Sequence, residues 1–350
     1  MQKKFKRMLG QTEFYISLII LLLALMIQAR SGLFFTGNNL VDLFSALIVP
    51  GMFAVGTYMV LVSGGIDVAF PALASLSAYA TTKLFLDMGY EGSVLLPLLV
   101  AIAIGALLGA FNGYFIGYLN LNALIVTLGS SSVFKGIMQG ALNSRQLAVI
   151  PKGMKAFGTT ALFTSTNALG VSSIMPMTIF ALIAVVIVVW FIMNKTYFGR
   201  GIYAIGGNPA AAKAAGFNVK RTKFLTYTLV GAISAMAGMM RVCMMQQCHP
   251  TNMLGMEMNI IAGVVLGGTA ITGGSGTMLG TLLGTFLIVM VENSMILLGI
   301  PTTWKSVFTG ALIVIGTAVS AMQVLRASKA VDKIKAQKEK ELGQKEGVQQ

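Results

Sequence analysis

The chain has 350 residues, 56% of them hydrophobic and only 10% charged, with 25 Lys and Arg against 11 Asp and Glu for a net charge of +14. A soluble domain carries about 25% charged residues, so this composition argues against a cytosolic enzyme, a disordered regulator and a secreted disulfide scaffold. It fits a polytopic membrane protein, in which each spanning helix takes roughly 20 mostly apolar residues.

Ten apolar segments follow in chain order, at 14–29, 40–62, 68–86, 93–118, 121–142, 174–193, 224–245, 258–272, 277–298 and 303–325. The expected fold is all-α, with about ten transmembrane helices. The first segment follows KKFKR and is read as a retained helix, because no small-x-small cleavage site follows it and further spans continue directly. Basic residues set the orientation. Four precede span one (Lys3, Lys4, Lys6, Arg7), six lie between spans six and seven (Lys195, Arg200, Lys213, Lys220, Arg221, Lys223) and seven lie after span ten (Arg326, Lys329, Lys333, Lys335, Lys338, Lys340, Lys345). With both termini cytoplasmic, these 17 of the 25 basic residues share one face. The +14 is then an orientation signal and not a nucleic-acid footprint. The domain reading is one transmembrane domain over 1–325, with a cytoplasmic loop at 194–223, and a polar cytoplasmic tail at 326–350.

Two cysteines, Cys243 and Cys248, exclude a disulfide framework and read as packing residues five apart in one helix. A single histidine, His249, rules out a His-rich metal cluster, and no Walker A sequence occurs. No metal or cofactor is expected on this chain.

GALLGAF at 105–111 echoes GTLLGTF at 280–286, and LVSGGIDV at 61–68 more weakly echoes VVLGGTAI at 264–271. The pattern points to two related halves, spans two to five and seven to ten, as many transporters have. Gly105, Gly109, Gly113 and Gly117 recur every four residues, as do Gly280 and Gly284. That spacing lets helix backbones approach closely. LGGTAITGGSGTMLG (266–280) holds six glycines in fifteen residues, and SGGIDVAFPAL (63–73) sits at the matching place in the first half. Glycine destabilises a helix interior by about 1 kcal/mol relative to Ala, so both segments read as broken or re-entrant spans beside a pathway.

Charge within the spans is costly, at least about 2.5 kcal/mol per group at mid-bilayer. Asp42, Asp67, Glu257 and Glu292 are the acids near or within spans, and Arg241 and Lys135 the bases. Asp67 and Glu292 are candidates for a pathway or gate, with a helix cap and an interhelical hydrogen bond as the plain alternatives. Asn112, Asn122, Asn259 and Asn293 are candidate hydrogen-bonding residues along the same route. No carboxylate–base ladder is visible, which argues against proton coupling.

The loop 194–223 encloses a short helix. Asn208 is a good N-cap, Pro209 suits the first helical position, Ala210, Ala211, Ala212, Lys213, Ala214 and Ala215 favour helix, and Gly216 stops it. So short a helix is not stable alone. It must dock on its own spans or in a groove of a cytoplasmic partner.

Four motifs in order, GGID (64–67), NALIVTLGS (122–130), GGNPAAAKAAGFNVKRTKFLTY (206–227) and GMEMNIIAGVVLGGTAITGGSGTMLGTLLG (255–284), closely resemble the permease subunits of bacterial ABC importers of the ribose, xylose, arabinose and galactose type. The likeness runs from about residue 40 to 325. It implies a bacterial inner-membrane subunit that imports a monosaccharide. It also implies a dimer of permeases, a cytoplasmic ATPase pair carrying ATP and Mg²⁺, and a solute-binding protein outside. The helix of Asn208 to Gly216 then looks like the coupling helix to the ATPase, and loops 143–173 and 246–257 would meet the binding protein. Two departures bear on the solute. Val68, Ala69, Phe70 and Pro71 stand where the family usually has a leucine or valine and then S-V-G, which adds Phe70 to the gate candidates, and MMQQCHPTNM (244–253) is an unusual outer segment. A nucleoside or other polar solute is the near alternative; an ion-coupled secondary transporter and a membrane scaffold are the alternatives from other classes.

Overall fold

The computed structural model describes residues 12–311 and 314, apart from 144, 168 and 169. The basic residues before span one, most of span ten and the tail lie outside the described residues. Fourteen elements and a few irregular turns follow among the described residues. They are α1 (Thr12–Ser31), α2 (Gly37–Val62), α3 (Phe70–Asp87), α4 (Leu95–Gly113) and α5 (Ala123–Gly140), then α6 (Lys152–Thr159), the strands β1 (Ala161–Thr166) and β2 (Ser172–Pro176), α7 (Ile179–Lys195), α8 (Tyr197–Gly207), α9 (Pro209–Ala214), α10 (Val219–Met245), α11 (Glu257–Leu266) and α12 (Met278–Leu297).

Among the described residues, α1, α2, α4 with its π-turn at Tyr114–Tyr118, α10 and α12 are long and apolar enough to cross a membrane. The pair α7–α8, bent by 73°, makes a sixth if it is counted as one span. The other expected spans that fall on described residues are largely helical but differ for physical reasons. α3 is buried within the bundle and carries Ser75, Ser77, Thr81 and Thr82. The Ser77 and Thr82 hydroxyls donate to the Leu73 and Ala78 carbonyls at 2.8 and 2.7 Å, whereas those of Ser75 and Thr81 have no hydrogen-bond partner. α11 has ten residues, half a span, and ends at the second glycine break. The segment expected from 174 begins as strand: β1 and β2 form an antiparallel hairpin, and helix starts only at Ile179.

The bundle is apolar on its outside as well as inside. α2 supplies most of the core, with Met52, Phe53, Tyr58, Met59 and Val60 buried. α1 and α7 turn Leu21, Leu22, Leu25, Ile187 and Phe191 outward. Such a contiguous exposed apolar surface is a liability in water and the expected face toward lipid. The protein is a multi-pass helical membrane protein.

The glycine ridge of α4 packs on α10. A methyl group on Gly113 would lie 2.7 Å from the Phe224 carbonyl oxygen, and one on Gly117 2.7 Å from that of Lys220. Gly280 and Gly284 of α12 pack instead on Gly267, just past α11, and on Gly263 within it. The echoed motifs thus serve the same close-approach role against different partners.

Both glycine-rich breaks are non-helical, over 63–69 and 267–277. They meet each other. The Gly274 N–H donates to the Val62 carbonyl at 2.9 Å, and a methyl on Gly273 would lie 2.7 Å from the Gly64 Cα. Gly64, Gly273 and Gly274 have φ of +81°, +91° and +77°, conformations that glycine adopts without strain. Gly206 completes the junction: a methyl there would lie 2.5 Å from the Gly274 nitrogen.

Cys243 and Cys248 are free and buried. They do not share a helix. Gln246 in the left-handed region (φ +53°) ends α10, so Cys248 lies in the following loop. There its backbone exchanges two hydrogen bonds of 2.9 Å with Leu147, tying the 246–256 loop to the segment after α5.

Candidate functional site

Two polar cavities lie at opposite ends of α10. Lys223 lines one and Arg241 the other. Eighteen residues at 1.5 Å per residue place them about 27 Å apart, close to the thickness of a hydrocarbon core.

The larger cavity, about 600 Å³, has the size of a small-molecule site. It is built from the end of α10, the loop after it, α11, α12 and the chain after the 3-10 turn Thr302–Trp304. Glu292 on α12 organises it. One carboxylate oxygen accepts from the Asn259 amide at 3.0 Å and the other pairs with Lys305 at 2.9 Å. Arg241 donates to the Asn252 side-chain oxygen, Oδ1, at 3.3 Å. Asn293 also lines this cavity, and its Nδ2 has no hydrogen-bond partner.

The smaller cavity, about 250 Å³, lies at the α9 end. Ser63, Gly64 and Gly65 of the first break line it with Asn120, Asn122, Lys223 and Tyr227. Asn122 also caps α5, its side-chain oxygen accepting from the Leu124 N–H at 3.0 Å. The Tyr227 hydroxyl has no hydrogen-bond partner.

The sequence candidates therefore separate. Asn259, Glu292 and Asn293 come together in the large cavity, and Asn122 borders the small one. Asp67, Phe70 and Asn112 line neither. Asp67 is buried, its Oδ1 accepting from the Ala69 N–H at 2.7 Å just ahead of α3. Phe70 packs on Phe53 at 5.1 Å between ring centroids. Asn112 is buried on α4 with both amide atoms unpartnered. Sequence reading missed Asn252 and Lys305 and gave Arg241 no role in the site. The usable signal was charge balance, since Glu292 within a span needs a cation and Lys305 opens the next one.

α9 projects beside the small cavity's end of the bundle. The Asn208 side-chain oxygen accepts from the N–H groups of Ala210 and Ala211, both at 3.0 Å. At the other end Gly216, φ +88°, lets its N–H reach the Lys213 carbonyl at 3.0 Å and that of Phe217 the Ala212 carbonyl at 3.0 Å. Phe217 stacks on Tyr197 of α8 at 4.7 Å. Ala212 is buried against the protein, whereas Ala211, Lys213, Ala214 and Ala215 are exposed. The helix is thus fixed to α8 on one side and bare on the other. α8 in turn reaches both breaks, through Gly206 and through Tyr203. The Tyr203 hydroxyl donates to the Gly276 carbonyl at 3.0 Å and shares a hydrogen bond with the Tyr58 hydroxyl.

Residues 39–317 match the family described as branched-chain amino acid transport system / permease component. The chain belongs to this permease family. The ribose import permease protein of Escherichia coli K12 is 30% identical over 86% of this chain and 91% of its own length. The galactose/methyl galactoside import permease protein of the same strain is 30% identical over 93% and 98%. The autoinducer 2 import system permease protein of Enterobacter sp. strain 638 is 31% identical over 90% and 88%. No solved structure matches the chain.

Proposed function

We propose that this permease is the transmembrane subunit of an ATP-driven, binding-protein-dependent importer of a monosaccharide in a bacterial inner membrane. The observation that carries the reading is α9, a capped helix with a bare small-residue face, joined through Gly206 to the junction of both broken spans. The names of the relatives, import permeases for ribose and galactose, support the solute class.

The partners follow from the two ends. At the cytoplasmic end, a groove on an ATPase receives Ala211, Lys213, Ala214 and Ala215; ATP and Mg²⁺ belong to that ATPase and none to this chain. At the outer end, the large cavity opens beside the 246–256 loop, where a solute-binding protein delivers its cargo. Two permeases, identical or related, stand side by side, and both termini are cytoplasmic. The chain itself breaks no bond. Displacement of α9 by its partner moves α8, and Gly206 and Tyr203 pass that motion to the segments 63–69 and 267–277. Those segments border the small cavity and connect α11 to α12 of the large one, so the two mouths change together.

The test is reconstitution in lipid vesicles with the ATPase and binding protein encoded beside this chain. ATP-dependent solute uptake that needs both partners is expected. Uptake without any ATPase would refute the reading in favour of a secondary transporter.

A further inference from the structure

The charge in the large cavity speaks to the solute, on the premise that the chain is an importer permease. The ionisable groups in its lining are Arg241, Glu292 and Lys305. Glu292 is fully engaged by Lys305 and Asn259. Glu257, at the start of α11, accepts from the Gly255 N–H at 2.9 Å. Among the described residues no carboxylate lies within ion-pair distance of Arg241. Its hydrogen bond goes to a neutral amide, and its Nε has no partner. Asn293 Nδ2 is a second donor without an acceptor. Among the described residues the cavity therefore carries one uncompensated positive charge, on Arg241. An ionisable residue of a spanning helix that faces a cavity is a functional-site hypothesis by default. A neutral sugar offers acceptors but leaves that charge unpaired.

We infer that the solute crossing this cavity is a monosaccharide bearing a single carboxylate, a uronate or aldonate, whose carboxylate pairs with the Arg241 guanidinium. The planar fork of Arg matches a carboxylate in two parallel hydrogen bonds. The hydroxyls of such a solute meet Asn252 and Asn259. The charge count selects a carboxylate over a phosphate ester, because a phosphate brings roughly −1.5 to −2 charges against one unpaired cation among the described residues.

In vesicles holding the complete complex, ATP-driven uptake of labelled D-galacturonate, D-gluconate, D-galactose and D-galactose 6-phosphate is compared. The wild-type protein is expected to prefer the carboxylates about tenfold or more. Arg241→Gln lowers that uptake about ten- to a hundredfold, the usual worth of a hydrogen bond to a charged group, and Arg241→Lys keeps a larger share. Preference of the wild-type complex for galactose or the phosphate overturns the inference without any variant, as does equal carboxylate uptake by Arg241→Gln. Uptake of none of the four overturns it too. Stimulation of the ATPase by the binding protein is read in the same vesicles, so the importer reading stands or falls separately.

Discussion

The Gly274 N–H donates to the Val62 carbonyl at 2.9 Å across 212 positions of sequence, joining the two broken spans at one point. Gly206 lies against this bond, with room for hydrogen but not for a methyl group. Gly206→Ala forces the α8 end away from the junction at a cost of about 1–3 kcal/mol, the usual range for overpacking. The expected outcome is a permease that still binds its ATPase but transports at least several-fold more slowly. Co-purification and vesicle uptake measured on one preparation decide it; unchanged uptake would remove the junction from the transmission path.

The α9 helix separates a folding role from a docking role. Ala212 is 3% exposed, so Ala212→Leu should lower thermal stability by about 1–3 kcal/mol. Ala214 and Ala215 are exposed. The pair Ala214→Leu with Ala215→Leu should leave the melting temperature within a degree or two and abolish stimulation of the ATPase by loaded binding protein. Asn208→Ala removes the cap at a cost of about 1 kcal/mol and should weaken stimulation in part. Full stimulation with both leucines present would rule out this face as the docking surface.

The α4–α10 contact is backbone against backbone. Gly113→Leu inserts a side chain where even a methyl would lie 2.7 Å from the Phe224 carbonyl. Neither helix can yield without losing the ridge, so destabilisation should exceed the ~3 kcal/mol upper range for ordinary overpacking. Gly129→Ala on α5, with open space at the Cβ position, is the control and should be neutral or slightly stabilising. Detergent melting curves of the two variants test the difference.

Cys248 is 2% exposed in the loop after α10, and burial pushes its thiol up to about 12, opposed by a hydrogen bond with Thr82. A raised thiol pKa keeps the group protonated and unreactive through neutral pH. The folded protein should resist maleimide labelling at Cys248 from pH 7 to pH 9, and become labelled after denaturation. Fast labelling of the folded protein would show that the Leu147–Cys248 tie opens.

How much of this was legible before folding depends on whether a feature is local. Asn208 through Gly216 read as a capped helix because capping is settled within one turn, and the structure has that helix. The glycine breaks were visible because composition alone disfavours helix there. Asp67, Phe70 and Asn112 were placed by their rarity in apolar segments, which says that a polar or bulky group needs company and not where it finds it. Lys305 was missed because its partner Glu292 sits on another helix.

The sequence by itself determined the membrane class, most of the helical segments and the capped helix α9, since hydropathy, glycine spacing and capping act over a few neighbouring residues. Only the tertiary structure decided that the two breaks touch, that Gly206 lies against both, and that Arg241 shares a cavity with Glu292 while lacking an anionic partner among the described residues. Those are contacts between segments far apart in the chain, set by how closely backbones can pack and by where each buried charge finds, or fails to find, its counter-charge.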